Sequence, residues 1–214
     1  MIEHKTISLA DQVFEHLETD ILSGKYQRGE TLTESKLSVE LGVSRTPIRE
    51  ALRRLEQEHL IEEAPKGVVV VGITEKDLDD IFTVRLKLEG QAAAMAAQNH
   101  TDEQLSIVRE ALEFQEFYLD KNDPDRIKSM DSRFHETIYK MSGSTVLYDV
   151  LEPLHKKILK YRKASVSNTS RAASSVAEHR AIYEAIAARD SELACRLIIE
   201  HLDNAYNHIC KKEK

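Results

Sequence analysis

The sequence predicts a mainly α-helical chain in two parts. Residues 1–73 read as helices closed by a small β-hairpin, and residues 74–214 as an all-α helical bundle. Three observations predict this. Apolar residues recur at helical spacing along most of the chain. Strand-like patterning is confined to two short runs, Leu60-Ile61-Glu62-Glu63 and Val68-Val69-Val70-Val71, joined by Ala64-Pro65-Lys66-Gly67 as a hairpin loop would be. Capping and breaking residues punctuate the rest at helix-length intervals.

Residues 8–22 place Val13, Phe14, Leu17 and Ile21 on one stripe and read as the first helix. Ser23-Gly24-Lys25 ends it, and Arg28-Gly29-Glu30 is a turn. Thr33 opens a short helix that runs to Leu41. Gly42-Val43-Ser44 then turns the chain, with Ser44 as N-cap of a helix from Arg45 to Gln57. After the hairpin, Thr74-Glu75-Lys76-Asp77 starts a helix with a late small-residue face at Ala92, Ala93 and Ala96. Thr101 and Gln104 have capping-box spacing, and Asp123-Pro124 puts a cap before a proline at the first helical position. Ser142-Gly143-Ser144 breaks that helix and starts another, running to about Arg162. Residues 164–175 are Ser-rich and unpatterned and predict a loop. Helices over 176–188 and 191–212 complete the chain, the second capped by Asp190. Only a few residues, about Val71–Thr74, link the two parts, which predicts constrained placement and coupling between them.

The composition, 41% hydrophobic and 31% charged, is that of a soluble globular protein. No segment approaches the roughly 18–20 uncharged apolar residues of a membrane span, and the N-terminal residues show no signal-peptide core. A cytoplasmic protein without a membrane partner is expected. Cys195 and Cys210 fall in one helix, too far apart along its axis to bridge, and read as reduced thiols.

A net charge of −7 argues at first against nucleic acid, and residues 1–72 hold 9 Lys and Arg against 13 Asp and Glu. Yet residues 45–54 carry Arg45, Arg49, Arg53 and Arg54 against Glu50 alone, a local +3. Phosphate binding follows the local field more than the chain total. Helix, short turn and helix is the helix-turn-helix pattern, whose second helix enters the major groove, and the hairpin supplies a wing. Ile48, Leu52 and Leu55 are spaced to pack inward. Arg45 and Arg49, at i and i+4, share another face, from which a guanidinium can fork onto guanine O6 and N7. Ser44 and Thr46 reach phosphate oxygens or base edges, and Lys66 sits at the wing tip. The alternative is an exposed arginine-rich helix with no partner.

The second part carries a different chemistry. Asp131 and His135, at i and i+4, lie on one helix face and are able to chelate one ion, although such a pair also serves as a salt bridge or hydrogen bond. His179 and His201 lie on the last two helices. Turned inward, the three imidazoles and one carboxylate make a set suited to Zn²⁺, Ni²⁺, Mn²⁺ or Fe²⁺. His208 is about 10 Å along the axis from His201 and too far to share the ion. His155 is a candidate outer group. His4, His16, His59 and His100 read as surface or helix-end residues.

Residues 32–71, with Leu-Gly-Val-Ser-Arg-Thr-Pro-Ile-Arg-Glu-Ala-Leu-Arg-Arg-Leu and Pro65-Lys66-Gly67-Val68, closely resemble the GntR family of bacterial regulators. The resemblance gives Arg45, Thr46 and Arg49 the DNA-contact roles, with a wing contact near Lys66-Gly67. Many relatives place Arg where this chain has Ser35, so one contact is missing or moved to Lys36. Residues 78–204 resemble the FCD ligand-binding domain of the FadR-like branch, through Val84-Arg85-Leu86-Lys87-Leu88-Glu89, Asp131-Ser132-Arg133-Phe134-His135, Glu178-His179-Arg180 and His201-Leu202. Metal-containing members supply one Asp and three His at the positions of Asp131, His135, His179 and His201. The resemblance further implies a small organic carboxylate as effector, with Arg85 as its partner and Tyr139 in the pocket lining. A helical Arg85–Glu89 ion pair is the alternative role of that arginine.

The expected function is thus a ligand-responsive, homodimeric transcriptional repressor that binds double-stranded operator DNA and carries a divalent transition metal. A regulator in which the ion itself is the signal is a second reading. A metalloenzyme is a third, against which stands the lack of a His-Glu-x-x-His pattern and of a carboxylate placed as a base.

Overall fold

A computed structural model describes residues 8–165 and 170–210, which form two compact units: one of the residues up to Thr74 with Lys163–Ser165, the other of Glu75–Arg162 and the described residues from Ser170 on. The first unit contains helices α1 (Leu9–Leu22), α2 (Glu34–Leu41) and α3 (Arg45–Gln57) and strands β1 (Thr31–Leu32), β2 (Ile61–Ala64) and β3 (Gly67–Val70). Ser8 caps α1 through a reciprocal capping box with Asp11, and Thr33 caps α2 by accepting from the Lys36 amide. The helical stripe of α1 packs with Ile48, Leu52 and Leu55 of α3 into one apolar core closed by Leu32, Leu37, Leu60, Ile61 and Val70.

The sheet is antiparallel in the order β1-β3-β2, with Thr31 opposite Val69 and Glu62 opposite Val69 from the other side. Strand β1 is absent from the sequence expectation: two residues carry no period, and only their pairing with β3 defines them as strand. Gly67 opens β3 with φ 126°, and a Cβ there would meet the Leu32 carbonyl oxygen at 2.2 Å. Glycine is the residue this crossing admits.

The second unit is helical throughout its described residues: α4 (Glu75–Asn99), α5 (Asp102–Asp120), α6 (Pro124–Met141), α7 (Thr145–Ser165), α8 (Ser170–Ala187) and α9 (Ser191–Cys210). Thr101 and Gln104 form the expected capping box, Asp123 caps α6 ahead of Pro124, and Asp190 accepts from the Leu193 amide at the start of α9. Helix α4 packs on α9 and α6, and α5 on α6 and α8. The small face of α4, with Ala92, Ala93, Ala96 and Ala97 fully buried, permits this close approach. At Gly90 an added Cβ would lie 2.9 Å from both Cys195 Sγ and Ile199 Cδ1 of α9.

One expectation is corrected. The loop over 164–175 gives way to helix on both sides, since α7 continues to Ser165 and α8 begins at Ser170; residues 166–169 lie outside the described residues. Serine's weak helix propensity is overridden by contacts beyond its neighbours. Arg171 forks onto Glu178 two turns on with two bonds of 2.6 Å and donates to the His201 carbonyl of α9 at 3.3 Å, and Ser175 and Val176 are buried. Residues 211 and 212, expected at the end of the last helix, also lie outside the described residues, as does His4.

Candidate DNA-reading face and candidate metal centre

Helix α3 follows α2 across Gly42-Val43-Ser44, where Gly42 adopts φ 65° and the Ser38 hydroxyl donates to the Val43 carbonyl at 2.6 Å. Pro47, Ile48, Ala51, Leu52 and Leu55 turn inward. Ser44, Arg45, Thr46 and Arg49 are exposed together at the N-terminal end of the helix, where backbone amides favour an anion. Ser44 holds the cap position in extended backbone but makes no capping hydrogen bond. Lys66 and Gly67 are exposed at the β2–β3 turn.

The four arginines of this helix divide by partner. Arg49 places Nε and Nη2 each 2.9 Å from the two carboxylate oxygens of Glu34 on α2. That bidentate pair occupies one edge of the guanidinium and leaves the Nη1–Nη2 edge facing away. Arg45 has no ion-pair partner among the described residues, and Arg53 is exposed. Arg54 belongs to the fold: its guanidinium pairs with Asp11 and lies 4.0 Å from the centroid of the Phe14 ring, binding α3 to α1. The sequence count of +3 therefore overstates the charge offered by this face. Lys36, the residue to which a displaced contact was assigned, pairs with Glu30 at 3.1 Å.

In the second unit, Asp131 and His135 of α6, His179 of α8 and His201 of α9 are all buried and brought together. The ligand atoms of His135, His179 and His201 lie within 4.8 Å of one another. His179 Nε2 is 3.3 Å from His201 Nε2 and 3.8 Å from Asp131 Oδ1. The far nitrogen of each imidazole faces an acceptor. Gln115 of α5 donates its amide nitrogen to the Met130 carbonyl at 3.2 Å, which turns its oxygen to His179 Nδ1 at 2.7 Å. Glu178 accepts from His201 Nδ1 at 2.7 Å and is itself held by Arg171 and, at 2.9 Å, by Asn204. His135 Nδ1 lies 3.5 Å from Glu89 Oε2.

These partners set the chemistry. Burial, first of all, pushes His135, His155, His179 and His201 below the ordinary histidine value, so the rings are neutral. With Nδ1–H given to Gln115 and to Glu178, both Nε2 atoms present lone pairs to each other across 3.3 Å. That contact is repulsive unless something electropositive lies between them. Two donors of a tetrahedral site with bonds of about 2.0–2.1 Å also stand about 3.3 Å apart. Burial raises the Asp131 carboxyl, but the facing His155 and the electrostatic influence of the His135 and His179 rings outweigh it, and Asp131 is held well below the usual carboxylate range. Glu178 is likewise lowered to about 2, burial being outweighed by His201 and Arg171. The donor set and its orientation fit a divalent transition metal: His179 and His201 have the outer acceptors that metal-bound histidines require, in Gln115 and Glu178, while Glu89 faces His135 Nδ1 at 3.5 Å without a hydrogen bond.

Arg85 and Tyr139 are buried beside this cluster. Arg85 Nε lies 2.5 Å from Glu89 Oε1, the helical ion pair, and Nη2 lies 3.1 Å from His155 Nδ1. Tyr139 is fully buried against Ala92 and Leu151. A cavity lined by Arg85, Asp131, His135, His155 and His201 has room for about one water molecule. Gln115, Glu178 and Arg171 escape the sequence reading, since they reach the histidines from 64, 23 and 30 residues away with no periodic signal.

Comparison with known proteins agrees with this layout. The model described as "Bacterial regulatory proteins, gntR family" matches residues 9–71, and that of the FCD domain matches residues 80–204. The chain is 30% identical over 205 residues to an uncharacterized HTH-type transcriptional regulator, YdhC, of Bacillus subtilis, covering 95% of this chain and 90% of the relative. It is 29% identical to the gluconate operon transcriptional repressor of Bacillus licheniformis, over 88% of this chain and 80% of that protein. The solved structure of McbR/YncC from E. coli superposes with a TM-score of 0.77 at 26% identity, covering 98% of this chain and 100% of that one. Among the described residues no helix is long and apolar enough to cross a membrane.

Proposed function

The chain belongs to the gntR family of bacterial regulatory proteins and carries an FCD domain, and from that premise we propose a homodimeric repressor with an effector site built around a metal. Residues 1–73 bind operator DNA, through Ser44, Arg45, Thr46 and Arg49 of α3 and through Lys66 and Gly67 of the wing. Residues 74–214 dimerise and sense a small organic carboxylate. The carrying observation for the sensing half is the pair of imidazole lone pairs facing each other beside Asp131. Asp131, His135, His179 and His201 hold the ion, which is Zn²⁺, Ni²⁺, Mn²⁺ or Fe²⁺ by donor type. Bound there, it supplies a Lewis-acidic anchor for a carboxylate. Arg85 and Tyr139 border the site, and an incoming carboxylate competes with Glu89 for the guanidinium. The repressor sign is supported by the name of the gluconate operon relative.

A single recognition helix reads few bases, which favours two chains on a two-fold operator. The effector alters repression only insofar as it binds the DNA-bound and free states unequally. The test is a titration of full-length protein on a selected operator, followed by fluorescence anisotropy and sedimentation. Two chains per site are expected, with operator affinity shifted by sugar acids, hydroxy acids or amino acids in the metal-loaded protein. A one-to-one complex at full affinity contradicts the dimer. Operator affinity indifferent to every acid contradicts the effector.

The small cavity favours one second reading, in which the ion itself is the signal. In that case chelation alone changes operator affinity, and acids add nothing.

A further inference from the structure

Two overlapping triads of buried donors share His135: one with His179 and His201, the other with Asp131 and His155. The second triad offers His155 as a ligand, and the direction of its hydrogen bonds decides whether it serves as one. A guanidinium is always charged and has only donors. Arg85 Nη2 lies 3.1 Å from His155 Nδ1, so that nitrogen accepts. A neutral imidazole that accepts at Nδ1 carries its proton on Nε2. His155 Nε2 lies 3.5 Å from Asp131 Oδ2, long for a hydrogen bond, and no other partner among the described residues takes it. A protonated nitrogen has no lone pair for an ion.

We infer that His155 is a positioning residue and not a metal ligand: Arg85 fixes its tautomer, its Nε2–H is aimed at the outer oxygen of Asp131, and the inner oxygen is left for the ion. The inference rests on the metal reading proposed above. It also changes the part played by Arg85. The same guanidinium binds Glu89 at 2.5 Å, and Glu89 stands 3.5 Å from His135 Nδ1. One buried cation thereby stands behind two of the four ligands, orienting His155 towards Asp131 and Glu89 towards His135.

Two measurements test this on the full chain. In metal-free protein with ¹⁵N-labelled histidine, long-range ¹H–¹⁵N correlation should show His155 as the Nε2–H tautomer; the Nδ1–H tautomer overturns the inference whether or not any variant folds. Co²⁺ is then titrated against a competing chelator in unsubstituted, His155→Gln and His155→Leu proteins. A glutamine amide can accept from Arg85 and donate to Asp131, yet it brings no imidazole lone pair. His155→Gln should bind within about threefold of the unsubstituted protein with unchanged visible bands, and His155→Leu should bind roughly 10–100-fold more weakly. Equal losses and altered bands in both variants make His155 a ligand, and equal binding by all three proteins removes the relay. If the unsubstituted protein takes up no Co²⁺, the metal reading itself fails and the inference with it.

Discussion

The molecule uses an arginine–glutamate pair twice, in opposite surroundings. Arg49 and Glu34 join α3 to α2 with side chains 65% and 34% exposed, whereas Arg85 and Glu89 stand one turn apart on α4 at 4% and 0%. In water the first pair gains little and opens at little cost, so its arginine remains available to a polyanion. In the interior neither partner of the second pair can be removed without stranding the other. The same two side chains thus make a replaceable contact at the candidate DNA face and a fixed framework beneath the candidate metal centre. Burial, not residue type, separates the two roles.

The buried pair should respond most strongly to substitution. Glu89→Gln leaves the Arg85 charge uncompensated and should lower unfolding free energy by about 3–5 kcal/mol, read as a shift in urea midpoint at constant slope. A loss below about 1 kcal/mol would mean that water reaches the pair and that the contrast is false.

At the exposed end, the effect should appear in binding. Arg49→Ala is expected to weaken operator binding roughly ten- to a hundredfold at fixed salt and to relax preference at one base position, with the melting temperature unchanged. Unaltered affinity and preference across an operator-variant panel would take Arg49 out of the interface. Arg54→Ala sharpens the division inside α3. Its partners are Asp11 and Phe14, so the variant should melt roughly 2–4 °C lower while the folded protein binds operator as before. A binding loss without a melting shift would restore Arg54 to the DNA face.

The smallest effect is expected from Glu34→Gln, with melting moved by no more than about 1 °C. Its signature is a ratio: binding to unrelated DNA rises as a carboxylate leaves the phosphate-facing surface, while discrimination falls as Arg49 loses its support. Unchanged binding to both DNAs would show that the pair has no bearing on recognition.

Much of this was legible in the sequence wherever the signal is local. Helical stripes, the Thr33, Thr101, Asp123 and Asp190 caps, and the Pro65-Lys66 turn all follow from neighbours within a few residues. Strand β1 was not, because its two residues become strand only by pairing with Val68 and Val69. The start of α8 is hidden in the sequence because its serines argue for a loop, while the Arg171–Glu178 fork that holds it spans two turns and closes on the His201 carbonyl of another helix. At the candidate site, Asp131 and His135 announce themselves by spacing, and His179 and His201 by resemblance. Their supports do not. Gln115 and Glu178 look like ordinary helix residues until α5, α8 and α9 are packed. Arg54 shows the reverse error, a local charge count that tertiary pairing cancels.

The seam at Gly90 has one more consequence. The missing side chain there lets the Cys195 sulfur lie directly against the α4 backbone, half-shielded by its own helix partner. Cys195 is only partly exposed, so the rate at which a thiol-reactive probe attaches to it, resolved from Cys210 by peptide mass, rises with local opening of α4 from α9 and serves as a clock for it. Glu89 precedes Gly90 on α4, and His201 lies further along α9, so whatever occupies the histidine cluster should slow that clock.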